Sequence, residues 1–267
     1  MTHPLSVEVR GLVARYADTE VLHGVDLEVR RGEVHVIVGG SGCGKSTLLR
    51  HIIGLLRPAA GSVRLLGVDQ ASADEPEWER VLQRIGVLFQ GGALINSLSL
   101  FDNVALPLRE RAPDLSAAIV REIVLMKVAQ VGLLQALHLT PPQLSGGMRK
   151  RAALARAMAL DPEVLFCDEP SAGLDPVTAA DLDRLILSLN ERFGMSIVVV
   201  THELASIDSI ASHVTMLAAG RVVATGPLAE VKRMDRPEIV AFFNRVGKLG
   251  ADGAGSVLEA LQRGGRA

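Results

Sequence analysis

Val34-His35-Val36-Ile37-Val38 runs directly into Gly39-Gly40-Ser41-Gly42-Cys43-Gly44-Lys45-Ser46-Thr47. The first segment is an apolar run of strand length, and the second fits G-x-x-x-x-G-K-[ST] in full. Glycines at this density let the backbone turn tightly and aim successive N–H groups inward as an anion-binding nest. A helix beginning near Lys45 adds free donors and the positive end of its dipole. In such a loop Lys45 bridges the β- and γ-phosphates and the Ser46 hydroxyl ligates Mg²⁺. Strand, cradle and helix in that order predict an α/β fold that binds a nucleoside triphosphate.

The 267 residues, 48% of them apolar, suffice for one large domain or a domain with a lobe. A net charge of −2 lacks the basic excess that wraps nucleic acid, so no nucleic-acid partner is expected. Charged residues interrupt the opening Val7-Glu8-Val9-Arg10, unlike the apolar core of a secretion signal. No apolar stretch approaches the ~18 residues that span a bilayer, so a membrane role is expected through a partner. Two cysteines, Cys43 and Cys167, argue against a disulfide scaffold and fit a reducing cytosol.

Alternation of Val7, Val9 and Val13, and of Val25, Leu27 and Val29, predicts extended segments over residues 5–31. With 61–66 they predict a small antiparallel sheet beside the nucleotide core. The unbroken runs at 34–38, 164–167 and 197–200 predict buried parallel strands. Helical periodicity takes over at 116–134 and 147–160, separated by Pro141-Pro142, which predicts a helical lobe at about 91–160 inserted into the core. Residues 214–223 read as a terminal hairpin. An amphipathic helix over 237–246 carries Phe242-Phe243; a Gly-rich linker and a last short helix, 256–263, follow.

Val164-Leu165-Phe166-Cys167 ends in Asp168-Glu169, and carboxylates at the end of a parallel strand open onto the ligand crevice. Asp168 is expected to hold Mg²⁺ and Glu169 to act as general base on the attacking water. Leu144-Ser145-Gly146-Gly147-Met148 opens a helix bearing Arg149, Lys150, Arg151 and Arg156. Ser145 with the amides of Gly146 and Gly147 makes a second anion site, or equally a plain N-cap with glycine spacing.

Taken in order, these motifs resemble an ATP-binding cassette ATPase. The resemblance assigns Tyr16 to adenine stacking, 39–47 to the Walker A loop, and Gln90 in Leu88-Phe89-Gln90 to the Q-loop, a further Mg²⁺ contact. It assigns 144–148 to the signature, Asp168-Glu169 to Walker B, Ser171-Ala172-Gly173-Leu174-Asp175 to the D-loop and His202 to the switch histidine. Asp175 also reads as a helix N-cap. Met148 stands where the signature usually has glutamine, and Gly40 where proline or alanine is commoner. The implied fold is a P-loop NTPase core of ABC type with a small antiparallel β-subdomain and an inserted helical lobe. It would cover 5–236, leaving 237–267 as a C-terminal helix and flexible tail. The implied mechanism is a homodimer in which each ATP lies between one copy's Walker A and the other's Ser145-Gly146-Gly147.

Phe89-Gln90-Gly91-Gly92-Ala93-Leu94, the stretch from Leu100 to Arg109, the run from Ser145 to Ala152 and the tail Phe242-Phe243 are most similar to Mla-type phospholipid-transport ATPases. That resemblance implies a peripheral subunit on the cytoplasmic face of the inner membrane, driving a permease dimer. It also implies an MCE-domain lipid-binding protein, a STAS-domain accessory subunit, and docking of the permease between Gly91 and Arg109. A cassette for another solute, such as an amino acid or drug, is the alternative. Cassettes of DNA maintenance or translation insert long coiled coils or carry two cassettes; the short interval from Gln90 to Ser145 and the single set of cassette motifs weigh against that third reading. Cys43 and Cys167 border the cradle, which suggests oxidation-sensitive activity; Phe242-Phe243 reads either as a docking element or as packing on the chain's own helix.

Overall fold

The computed structural model describes residues 4–17 and 19–244. In chain order its elements are β1 (Leu5–Tyr16), β2 (Thr19–Arg30), β3 (Val34–Val38), α1 (Lys45–Ile52), β4 (Ala60–Leu65), β5 (Val68–Asp69), α2 (Glu75–Leu82), β6 (Ile85–Leu88), α3 (Leu100–Arg111), α4 (Ala117–Gln130), α5 (Gly146–Ala157), β7 (Val164–Asp168), α6 (Pro176–Phe193), β8 (Ser196–Val200), α7 (Leu204–Ile210), β9 (His213–Ala218), β10 (Arg221–Pro227), α8 (Leu228–Val231) and α9 (Pro237–Phe243).

The alternating segments form an antiparallel sheet ordered β2-β1-β4-β5. Val25, Leu27 and Val29 point inward while Asp26, Glu28 and Arg30 face solvent. On β1 the inward positions jump from Val9 to Leu12, which strict alternation forbids. A register shift between those residues absorbs the extra step, with the Gly11 amide donating to Asp26 Oδ1 at 2.7 Å.

The unbroken apolar runs form the second sheet, ordered β10-β9-β3-β8-β7-β6, in which only β10 is antiparallel to its neighbour. Every residue of β3 and β8 is buried. Alternate residues serve opposite layers, as a strand period of two requires. Ile37, Phe166, Val198 and Val200 pack with Leu48, Leu49 and Ile52 of α1 and the inner face of the antiparallel sheet. Val36, Leu165, Ile197 and Val199 pack on the other side with residues of α5, α6 and α7. A strand covered on both faces shows no polar alternation, hence the continuous pattern.

Several boundaries differ from the sequence expectation. The 116–134 helix stops at Gln130 because Gly132 turns the chain at φ +72, and a short 3₁₀ turn follows at Leu134–Ala136. The 147–160 helix starts one residue earlier, at Gly146, and ends at Ala157. Helix α3 was not anticipated: Ser99 caps it, accepting from the Asp102 amide at 3.0 Å, and Pro107 lies inside it. The hairpin expected at 214–223 forms as β9 and β10, and β9 also pairs with β3 inside the main sheet. The C-terminal helix closes at Phe243; Phe242 and Phe243 form an edge-on pair 5.1 Å apart packed against the chain's own core. The Gly-rich linker and the helix expected at 256–263 lie outside the described residues.

Helices α3 and α4 pack on α5, which also lies against β6. The latter approach is tight: a Cβ on Gly86 would sit 2.3 Å from the Ala157 carbonyl oxygen. One helix thus joins the helical layer to the sheet strand that leads into Gln90.

Candidate active site

The cradle begins where β3 ends. Gly39 has φ +148, and a Cβ there would meet the Leu217 carbonyl oxygen at 2.2 Å and Cys43 Sγ at 2.7 Å. Only glycine fits so close to backbone. Gly44 then starts α1 in a left-handed conformation with no side-chain cap, so the first-turn amides stay free for an anion. Lys45 is buried and its ammonium donates to the carbonyls of Gly39 at 2.8 Å and Gly40 at 3.0 Å, which holds the charge inside the loop.

A cleft of about 360 Å³ opens over this loop, lined by Ser41, Gly42, Gly44, Lys45, Ser46, Thr47, Gln90, Glu169 and His202, with Val21 at its rim. Parallel strands bring these residues together, because β6, β7, β3 and β8 all end at the same sheet edge. Asp168 ends β7; Ser46 Oγ donates to its Oδ1 at 3.4 Å. Glu169 leaves the strand at φ +48, its amide donating to the Val200 carbonyl at 2.8 Å. That turn aims a buried carboxylate at His202, whose Nδ1 lies 2.7 Å from Glu169 Oε1, while Thr201 Oγ1 donates to Oε2 at 3.4 Å.

Burial, reinforced by the neighbouring Glu169 charge, pushes the Asp168 carboxyl above the usual aspartate range, against the Ser46 hydrogen bond. A carboxylate crowded by a second one is relieved by a cation. Ser46, Asp168 and Gln90 offer oxygen donors of the hard kind Mg²⁺ prefers, so the residues fit that ion.

Gly39, Gly40, Cys43 and Asp168 belong to the loop and strand end beside the cleft without lining it, and Tyr16, Ser145, Gly146, Gly147 and Asp175 fall outside it. Tyr16 is 42% exposed and ends β1 opposite Thr19, at the tip of the hairpin whose Val21 reaches the cleft. Ser145 caps α5, accepting from the Met148 amide at 3.2 Å. Gly146 and Gly147 abut the segment that enters α6: added Cβ atoms would meet Leu174 Cδ2 at 3.4 Å and Thr178 Cγ2 at 2.5 Å. Asp175 is the N-cap of α6, accepting from the amides of Val177 at 3.1 Å and Thr178 at 3.0 Å.

The cysteine expectation is corrected for Cys167. It is fully buried, and burial pushes its thiol up to about 12, which disfavours the thiolate that reactivity requires. Cys43 is buried within the loop, its Sγ packed against Gly39.

Sequence reasoning missed what the basic residues of α5 do. They donate to main-chain carbonyls, Lys150 from a buried position. Lys150 Nζ donates to Gln90 O at 2.6 Å and Glu169 O at 3.1 Å. Arg156 donates to the carbonyls of Ala93 at 2.6 Å and Gly92 at 3.2 Å, and Arg149 to Leu144 O at 3.0 Å. Burial holds the Lys150 ammonium below the usual lysine range. The signal available was helical spacing: Lys150 follows Ser145 by about a turn and a third, toward the sheet face.

A phosphate cradle, a strand-end carboxylate pair and a histidine on the second carboxylate define a P-loop nucleoside triphosphatase. A sequence profile described as ABC transporter matches residues 22–172, more than half of the chain. The chain is 41% identical over 248 residues to the probable ribonucleotide transport ATP-binding protein mkl of Mycobacterium tuberculosis H37Rv, covering 92% of this chain and 69% of that one. It is 40% identical over 237 residues to the intermembrane phospholipid transport system ATP-binding protein MlaF of Haemophilus influenzae, covering 89% of each. The dimeric bacterial ABC transporter cassette MJ0796 superposes with a TM-score of 0.76 at 30% identity, over 83% of this chain and 98% of that one. The same cassette has been solved in a post-hydrolysis state with ADP and Pi. This chain belongs to the ABC transporter family, as an ATP-hydrolysing cassette. Among the described residues no helix is long and apolar enough to cross a membrane.

Proposed function

We propose that two copies of this chain close face to face over two ATP molecules and power a permease dimer that moves phospholipid between membranes. One observation carries the shared-site part. Ser145, Gly146 and Gly147 form a helix start suited to an anion, yet they lie outside the cleft lined by Lys45, Ser46, Gln90, Glu169 and His202. The phospholipid part is supported by the 40% identity to MlaF, which extends over 89% of both chains.

In this reading Lys45 and the amides from Gly39 to Thr47 hold the phosphates, and Tyr16 stacks on the adenine. Ser145, Gly146 and Gly147 of the second copy close over the γ-phosphate. Mg²⁺, held by Ser46, Asp168 and Gln90, would neutralise phosphate charge. Water attacks the γ-phosphorus, Glu169 takes its proton, and the bond to the leaving ADP oxygen breaks. His202, fixed through Glu169 Oε1, orients the water and the γ-phosphate. Loss of the γ-phosphate removes the attraction that held the second copy's helix, and the dimer relaxes. A peripheral position on the cytoplasmic face of the inner membrane follows from docking on the permease, with an MCE-domain protein and a STAS-domain subunit completing the assembly.

Glu169→Gln, assayed with the cognate permease in lipid, tests the reading. Turnover is expected to fall about 10²–10⁴-fold, with ATP binding kept, a stable dimer trapped and lipid transfer stopped. Unchanged turnover refutes the role of Glu169; intact hydrolysis with no phospholipid transfer refutes the substrate.

A further inference from the structure

Lys150 is charged, 8% exposed, and held by two backbone carbonyls rather than by a carboxylate. Among the described residues its ammonium takes part in no ion pair within 4.0 Å. An ammonium withdrawn from water is costly unless its hydrogen bonds are satisfied, so its partners matter. Both are main-chain atoms of cleft residues. Gln90 follows β6 and Glu169 follows β7, which pair in parallel with Leu88 opposite Cys167. Glu169 O also accepts from the Ala172 amide at 3.2 Å, so the same carbonyl anchors the start of the segment leading to Asp175.

Ser145 is the N-cap of the same helix, α5, five residues before Lys150. A helix rises about 1.5 Å per residue, so the cap and the ammonium's helical position are about 7–8 Å apart on one stiff rod. Gly146 and Gly147 seat that rod on Leu174 and Thr178. Movement of the helix start therefore travels along α5 to Lys150, whose buried ammonium is bonded to the carbonyls of Gln90 and Glu169.

We propose that Lys150 is a positioning residue that couples the two ATP sites of the dimer. It ties the helix start that meets the second copy's nucleotide to the main chain of Gln90 and Glu169 in the chain's own cleft. Seating of Ser145 on one ATP is thereby transmitted to the group that deprotonates water at the other. This inference rests on the shared-site reading above.

The test compares Lys150→Met with Lys150→Arg in the full-length chain, following ATPase rate against ATP concentration, binding of a fluorescent ATP analogue and thermal unfolding. The parent is expected to hydrolyse with a Hill coefficient approaching about 2, the ceiling for two linked sites. Lys150→Met should bind the analogue as the parent does, lose roughly tenfold in maximal rate and fall to a Hill coefficient of about 1. Lys150→Arg, which keeps a cation and its donors, should recover both. If Lys150→Met does not fold, Lys150→Gln, which keeps one donor, should show the same split with partial cooperativity. A folded Met or Gln variant with parental cooperativity and rate overturns the coupling while leaving the shared site intact. A parent that is itself non-cooperative at every dilution overturns the shared site, and the coupling with it.

Discussion

Gly86 has an ordinary negative-φ backbone, so no conformational reason demands glycine there; space alone does. A methyl group in its place would stand 2.3 Å from the Ala157 carbonyl oxygen, 3.1 Å from the Ala157 carbonyl carbon and 3.1 Å from Pro162 Cγ. An ordinary carbon–oxygen contact is about 3.3–3.6 Å, so strand and helix must separate by about 1 Å. Two of the three obstructing atoms are backbone, which has no rotamer to yield. Overpacking of this kind costs about 1–3 kcal/mol, and β6 is an edge strand, which favours the lower half of that range. For a domain of this size each kcal/mol shifts the midpoint by about 2–4 °C. Gly86→Ala should therefore unfold roughly 2–8 °C below the parent. Gly91→Ala is the matched control: it lies just past Gln90, lacks positive φ, and its added Cβ meets nothing within 4 Å. Differential scanning fluorimetry with and without ATP reads both variants side by side. If Gly86→Ala melts within a degree of Gly91→Ala, the close approach of α5 to β6 does not constrain the fold and the reasoning fails.

Asp183 is 2% exposed in α6, one of its oxygens has no partner, and burial raises its pKa despite a Ser206 hydrogen bond. The folded state therefore binds this proton more tightly than the unfolded chain, so the charged group costs stability above the usual aspartate range and nothing below it. Asp183→Asn should raise the melting midpoint at pH 8 by about 2–4 °C, from roughly 1 kcal/mol of relieved desolvation, with the gain fading toward pH 4; a constant gain across that range would refute the titration. Cys167 should resist alkylation by iodoacetamide in the folded chain and react only on denaturation, read by peptide mass; rapid native labelling would contradict its burial. Removing divalent ions with EDTA should abolish hydrolysis while Ser46→Ala weakens Mg²⁺ dependence, measured as ATPase rate against Mg²⁺ concentration; rates insensitive to Mg²⁺ would exclude the oxygen set of Ser46 and Asp168.

Much of this architecture is written locally. The apolar runs at 34–38 and 197–200 predicted fully buried strands because covering both faces leaves no polar position. The cradle was legible because glycine spacing, a lysine and a hydroxyl serve one ligand in one turn. Even the Glu169–His202 contact was foreseeable, since both follow strands that end at one sheet edge. Elsewhere the local pattern was not enough. Helix α3 carries Leu100, Val104, Ala105 and Leu108 at helical spacing behind the Ser99 cap, but Pro107 inside it argues locally against a helix, and only packing in the helical layer decides for one. Cys167 read as a reactive thiol by sequence proximity to Asp168, but strand alternation sends it to the opposite layer, into the helical core.

The amino-acid order alone determined the ligand chemistry, because phosphate binding and water activation use residue types that sit within a few positions of one another or at strand ends. Only the tertiary structure decided which groups hold those residues still. Gly86 against Ala157, and the Lys150 ammonium on the carbonyls of Gln90, 60 residues away, and Glu169, 19 residues away, are contacts made onto backbone carbonyls. Backbone carbonyls are the same at every position, so no side-chain pattern announces which of them a buried cation or a packed helix will meet.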